Sequence, residues 1–198
     1  MSTVHNLLDH TIKAGLRNVV ASVADHAHSI PKELRQKLID LLGESRFSDE
    51  AQTKSRFSKT TLPTSTTPLG VVWPRNKHEV SSLLVLLAQH GIPWHAISRG
   101  KNWGYGDACA PLSGCFIIDL RQMDSIVEIN EELGFAVIEP GVTQGQLADE
   151  LVARGSRLML DVTGAGPDAS IVGNVLQRGF GHTPVSYTHL TLPTILLV

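Results

Sequence analysis

The sequence predicts a fold of mixed strands and helices, in which a βαβ unit is followed by an antiparallel hairpin. Two apolar strand candidates, 69–73 and 94–97, flank a capped helix pattern, and strands joined through a helix run parallel. Two more apolar runs, 125–129 and 135–138, are separated by the polar turn Asn130-Glu131-Glu132-Leu133-Gly134. A short polar turn between such runs makes a hairpin. A stretch of helical periodicity precedes both units.

Residues 1–45 read as helical. Leu8, Ile12, Leu16, Val19 and Val23 form one apolar stripe at helical spacing. A second helix starts near Ser29, with Pro31 in its first turn, where a missing N–H costs little. Leu34, Leu38, Leu41 and Leu42 form its inner face, and Gly43 ends it. His26 and His28 are two residues apart, so on a helix they face apart and make no metal site.

Residues 44–68 are polar, and 60–68 reads as an extended connector, with a domain boundary expected near residue 60. After the strand at 69–73, Asn76 caps a helix and Glu79 completes a capping-box pattern. Val80, Leu83, Leu84 and Leu87 lie on its inner face, and Gly91 closes it. Residues 115–120 read as a buried strand. Beyond the hairpin, Thr143 caps a further helix with Gln146 as its box partner, Leu147 and Leu151 inside, and Gly155 at the end. Residues 158–160 read as a short strand.

The net charge of -2 gives no electrostatic case for nucleic acid. Cys109 and Cys115 are too few for a disulfide framework and read as a loop thiol and a strand thiol in a reducing, cytoplasmic setting. No run of about 18 apolar residues predicts a membrane helix, and the first residues lack the basic front and apolar core of a secretory signal.

The chemistry concentrates in Ser98-Arg99-Gly100-Lys101-Asn102-Trp103-Gly104-Tyr105-Gly106, directly after a strand candidate. Glycine permits positive φ and close approach of a ligand to the main chain. Successive N–H groups in such a turn form a nest for an anion such as pyrophosphate, and Arg99 and Lys101 would add charge-assisted hydrogen bonds. The spacing G-x-x-x-G-x-G differs from both the dinucleotide-fold and the P-loop fingerprints; the alternative is a glycine-rich connection without a ligand. A second cluster, 163–170, leads into Ile171-Val172-Gly173-Asn174, and Gly179-Phe180-Gly181 follows. Two such loops fit a large ligand better than a phosphate ion.

Five segments in order carry a resemblance. They are 98–106, Ile118-Asp119-Leu120, Glu139-Pro140-Gly141-Val142-Thr143, 171–174 and Arg178-Gly179-Phe180-Gly181-His182-Thr183-Pro184. Together they resemble the FAD-binding domain of flavoproteins of the vanillyl-alcohol oxidase and p-cresol methylhydroxylase (PCMH) type, over about residues 68–184. The resemblance implies an α+β, two-subdomain FAD-binding PCMH-type fold: a small βαβ parallel subdomain plus a mixed or antiparallel one, preceded by N-terminal helices. It implies FAD as the cofactor and no metal. Ser98, Arg99, Gly100, Lys101, Asn102, Trp103, Gly104, Tyr105 and Gly106 would hold the pyrophosphate. Ser170, Gly173 and Asn174 would lie along the flavin and ribityl region, with Gly181, His182 and Thr183 nearby. Tyr105 would hold a substrate phenolate, as a tyrosine does in phenol-oxidising members, or else pack against the loop.

The sequence also departs from that pattern. The acid that phenol oxidases place near the flavin N5 would fall around Gly164, which has no side chain, with Asp168 expected close in space. Asn102 stands about where some relatives carry a flavin-linking histidine, and His95 is assigned to strand surface or core. The resemblance implies the FAD-binding portion of an oxidoreductase that moves a hydride from an alcohol or a benzylic or phenolic substrate to FAD. Oxygen or a carrier would accept the electrons, and the full-length form would be a possible homo-oligomer. The alternative is a non-catalytic nucleotide-binding fragment whose catalytic cap is missing; a third reading is an interaction protein using the N-terminal helices. Domains are expected at 1–60, 61–184 and 185–198. The last segment is free of charged side chains and resembles a translated adaptor tail, so the native sequence is expected to stop near Pro184; the rival is a genuine edge strand.

Overall fold

The computed structural model describes residues 29–101, 107–161 and 163–176. The N-terminal stripe at 8–23, His26, His28 and the tail beyond residue 176 lie outside the described residues.

Helix α1 (Lys32–Leu42) follows Pro31 and buries Leu34, Leu38 and Leu42 at steps of four. Gly43 stops it at φ 87, its N–H donating to the Ile39 carbonyl at 2.7 Å. The polar stretch that follows is more structured than its composition predicts. A short turn of 3₁₀ helix at Glu44–Arg46 leads into strand β1 (Phe47–Ser48), and helix α2 (Ala51–Phe57) follows. Each is too short for periodicity to reveal. They are held by Phe47 and Phe57, both buried, not by an apolar stripe. The expected connector survives only at about 59–69, which has no regular elements.

Strand β2 (Gly70–Val72), helix α3 (Lys77–Gln89), strand β3 (Trp94–Ile97) and strand β4 (Phe116–Asp119) complete the first unit. The sheet order is β1-β2-β4-β3, with β1 antiparallel to β2 and both β2 and β3 parallel to β4. The βαβ strands are parallel as expected, but β4 lies between them. Asn76 Oδ1 accepts from the N–H groups of His78 and Glu79 at 3.0 Å each. The Glu79 carboxylate reaches back to the Arg75 N–H at 2.8 Å, one residue before the cap, and also pairs with Arg46. That pair ties α3 to the 3₁₀ turn.

Alternate residues of the central strands feed opposite faces, as the pleat requires. Val72, Phe116 and Ile118 pack with Leu34, Leu38, Leu42, Phe47, Leu83 and Leu87 on one face. Val71 and Ile117 pack with Phe57, Ile97, Ala110 and Cys115 on the other. The first cluster therefore runs across the boundary expected near residue 60.

Strands β5 (Ile126–Asn130) and β6 (Phe135–Ile138) pair as the predicted hairpin, with an irregularity between Ile126 and Glu128. Helix α4 (Gln144–Ala153) packs Leu147 and Leu151 with Val142 against Ile126, Ile129, Ala136 and Ile138. Thr143 Oγ1 caps it by accepting from the Gln146 N–H at 3.0 Å. The Gln146 side chain does not close the box: it donates to the Asp124 carbonyl at 2.7 Å. Residues 158–160 form no strand. A strand needs a ladder partner, and only Leu160 of the three packs on the hairpin core.

The two units meet at Gly141. Its N–H donates to the Met123 carbonyl at 2.7 Å. A Cβ there would lie 2.6, 2.7 and 2.9 Å from the carbonyl oxygens of Leu120, Met123 and Arg121. Backbone oxygens cannot rotate away as a side chain can. Gly141→Ala is therefore expected to lower the unfolding free energy by about 3 kcal/mol, the upper range for overpacking. Urea denaturation of the two proteins measures it; equal midpoints would show that the junction yields freely.

Candidate functional site

Strand β3 lies at the edge of its sheet, and the first glycine-rich loop leaves its carboxyl end. Ligands of open parallel sheets collect at that end. A cleft of ≈ 700 Å³ opens there. Among the described residues, Ser98, Arg99, Gly100 and Lys101 line it from the first loop, and Gly164, Ala165, Ala169 and Ser170 from the second. Gly173 and Asn174 contribute from helix α5 (Ile171–Leu176). Seven of the predicted site residues thus share one cleft: Ser98, Arg99, Gly100, Lys101, Ser170, Gly173 and Asn174. Asn102, Trp103, Gly104, Tyr105 and Gly106, with Gly181, His182 and Thr183, lie outside the described residues.

Two glycines bring backbone close to the cleft. Gly100 has φ +65, and a Cβ on it would sit 2.7 Å from Ala108 Cβ. A Cβ on Gly173 would touch Ser98 Cβ and Oγ at 3.4 Å, so α5 and the first loop nearly meet. Ser170 is buried and serves its own turn. Its Oγ donates to the Pro140 carbonyl at 2.7 Å and accepts from the Gly173 N–H at 3.0 Å.

The two cations of the first loop have different situations. Arg99 Nε donates to the Gly141 carbonyl at 2.7 Å, and its Nη2 lies 3.8 Å from Asp124 Oδ2. That guanidinium joins the loop to the second unit. Lys101 Nζ is 4.0 Å from Asp168 Oδ2, with both side chains well exposed. Such a pair is weak, which leaves the ammonium able to neutralise an anion in the cleft.

Several lining residues escaped the sequence reading. Thr60, Leu62, Thr64 and Thr66 all line the cleft, so the connector presents every second residue to it. The hydroxyls of Thr60, Thr64 and Thr66 were the available signal. Cys109 also faces the cleft, where its Sγ accepts from the Thr66 N–H at 3.4 Å. His95 lines it from β3, and burial lowers its pKa, favouring the neutral imidazole. Asp119, level with Ile97 in the β3–β4 register, is fully buried. It accepts from Trp73 Nε1 at 3.2 Å, the Arg121 N–H at 3.1 Å and Arg121 Nε at 2.6 Å. Burial raises its pKa, with Arg121 opposing. No group of three or more metal-ligating side chains occurs among the described residues. A cleft of ≈ 700 Å³, a glycine at positive φ with no room for a Cβ, and one exposed ammonium suit a dinucleotide carrying a diphosphate.

Comparison with known proteins agrees with this geometry. A family model described as "FAD binding domain" matches residues 68–192. The chain is 39% identical over 142 residues to 1'-carboxy-chondrochloren decarboxylase of Chondromyces crocatus, covering 72% of this chain and 26% of that one. It is 33% identical over 152 residues to the flavoprotein subunit of 4-cresol dehydrogenase (hydroxylating) of Pseudomonas putida, covering 75% and 29%. The crystal structure of p-cresol methylhydroxylase with substrate bound superposes with a TM-score of 0.75 at 32% identity, over 78% of this chain and 30% of that one. The chain thus spans less than a third of the length of these relatives. It belongs to the FAD-binding domain family, with an α+β fold of the PCMH type and FAD as the cofactor.

Proposed function

We propose that the cleft between the two glycine-rich loops seats FAD, and that the complete protein is an oxidoreductase acting on an alcohol or a benzylic or phenolic substrate. The approach of Gly100 and Lys101 to Gly173 and Asn174 across one cleft carries the reading. The first glycine-rich loop would hold the diphosphate, its main-chain N–H groups and the Lys101 ammonium offsetting the charge. Arg99 acts one step back. Bonded to Gly141, it holds the loop in place before the ligand arrives, which lowers the ordering cost of binding. Ser170, Gly173 and Asn174 would hold the flavin and ribityl region, with Gly181, His182 and Thr183 assigned to the same end of the site. When bound, the isoalloxazine supplies the electron chemistry by accepting a hydride, while the protein positions it.

Tyr105 holds the substrate phenolate in this reading, and the name of the cresol-oxidising relative supports the phenolic end of the substrate range. Oxygen or another carrier takes the electrons. Two free cysteines, Cys109 and Cys115, support a reducing compartment such as the cytoplasm. Among the described residues no helix is long and apolar enough to cross a membrane.

Purified protein is expected to be yellow with flavin absorbance; protein extended to full length should reduce a dye acceptor with a phenolic substrate. Gly100→Ala is expected to weaken FAD binding at least tenfold, read from quenching of FAD fluorescence, since it adds a clash at positive φ. Unchanged affinity would overturn the loop assignment. Arg99→Lys keeps the charge but loses the Nε donor to Gly141. Its FAD affinity should fall about as far as that of Arg99→Met, roughly tenfold, the scale of one hydrogen bond to a charged group. Full retention by lysine would instead mean that Arg99 acts on the ligand through charge.

A further inference from the structure

A second cleft, of ≈ 640 Å³, adjoins the first and shares Arg99, Gly100 and Lys101 with it. Its further walls bring Arg56 and Lys59 from the end of α2 together with Arg121 from the turn after β4. Three separate segments thus place cations around one hollow in a chain whose net charge is -2. Arg121 is held at its Nε by the buried carboxylate of Asp119. Arg56 lies over the Phe57 ring at 5.7 Å. Among the described residues, neither Arg56 nor Lys59 has an ion-pair partner. Two carboxylates also border the hollow. Asp107 Oδ2 accepts from the Thr61 N–H at 2.9 Å, and Asp168 lies 4.0 Å from Lys101.

We infer that this hollow binds the phosphate or carboxylate group of a second small molecule, distinct from the cofactor. An anchored arginine beside two unpaired cations in a concave site is the chemistry that recognises such oxyanions. The diphosphate of FAD has the same chemistry, but Gly164, Ala165, Ser170, Gly173 and Asn174 line the first cleft and none of them lines this hollow. The site stands on its own cations and does not require the FAD assignment.

Isothermal titration with pyrophosphate tests it, on the full chain with and without saturating FAD. Expected are two pyrophosphate sites without FAD and one with it. The double variant Arg56→Glu/Lys59→Glu should weaken the site that persists with FAD at least tenfold and leave FAD affinity within twofold. The milder Arg56→Gln/Lys59→Gln pair, checked by circular dichroism, guards against a folding defect and should weaken the same site. If FAD abolishes all pyrophosphate binding, the hollow belongs to the cofactor and the inference fails. It fails equally if the variants bind as the parent does, which would mark an adventitious ion only. Should the protein take up no FAD, loss of one of two pyrophosphate sites in the variants still upholds this site, so the two readings fail separately.

Discussion

The structure depends on a contact made without a side chain. At Gly141 the turn after β4, the entry to α4 and the first glycine-rich loop converge on one peptide. Its N–H goes to Met123, its carbonyl receives Arg99, and three carbonyl oxygens surround the space where a Cβ would stand. The parallel sheet and the hairpin unit have separate apolar clusters. Polar contacts join them, through the Gly141 main chain and the Arg99 side chain, and not one shared core. The cleft forms where that geometry brings the two glycine-rich loops side by side.

Buried polar groups extend the same logic. Asp119 sits at the end of β4 with no exposed surface, yet Trp73, the Arg121 N–H and the Arg121 side chain all donate to it. A lone buried carboxylate would be costly; one with three donors instead fixes the turn that carries Arg121. Fixed groups flank the loop on both sides, with Arg99 toward the hairpin unit and Arg121 toward α2.

Much of the fold was legible because the elements follow local rules. The step-of-four leucines of α1, the Asn76 and Thr143 caps and the polar turn of the hairpin all formed where the residues called for them. What stayed hidden was non-local. The sequence has no signal that β4 inserts between β2 and β3, because pairing order is decided by packing. β1 and α2 are two and seven residues long and anchored by single phenylalanines, too little for any period to show. In the site, glycine spacing pointed to the loops. It did not show that Arg99 faces Gly141, or that alternate threonines of the connector wall the cleft, since those roles exist only after distant segments meet.

The strand order also dictates a sequence of events during synthesis. β3 leaves the ribosome before β4, yet its only neighbour in the sheet among the described residues is β4. Until residues 116–119 emerge, the chain at 94–97 has no described ladder to join, and the glycine-rich loop that follows it has no fixed root. Helices α1 and α3 and the β1–β2 pair can collapse first on one another, before Phe116 and Ile118 of β4 complete their cluster. Closure of β4 into the gap is then a late step spanning distant segments, the kind of contact that slows folding. Nascent chains halted ahead of that step expose the apolar flank of β2 and an unpaired β3, the surfaces on which molecular chaperones act.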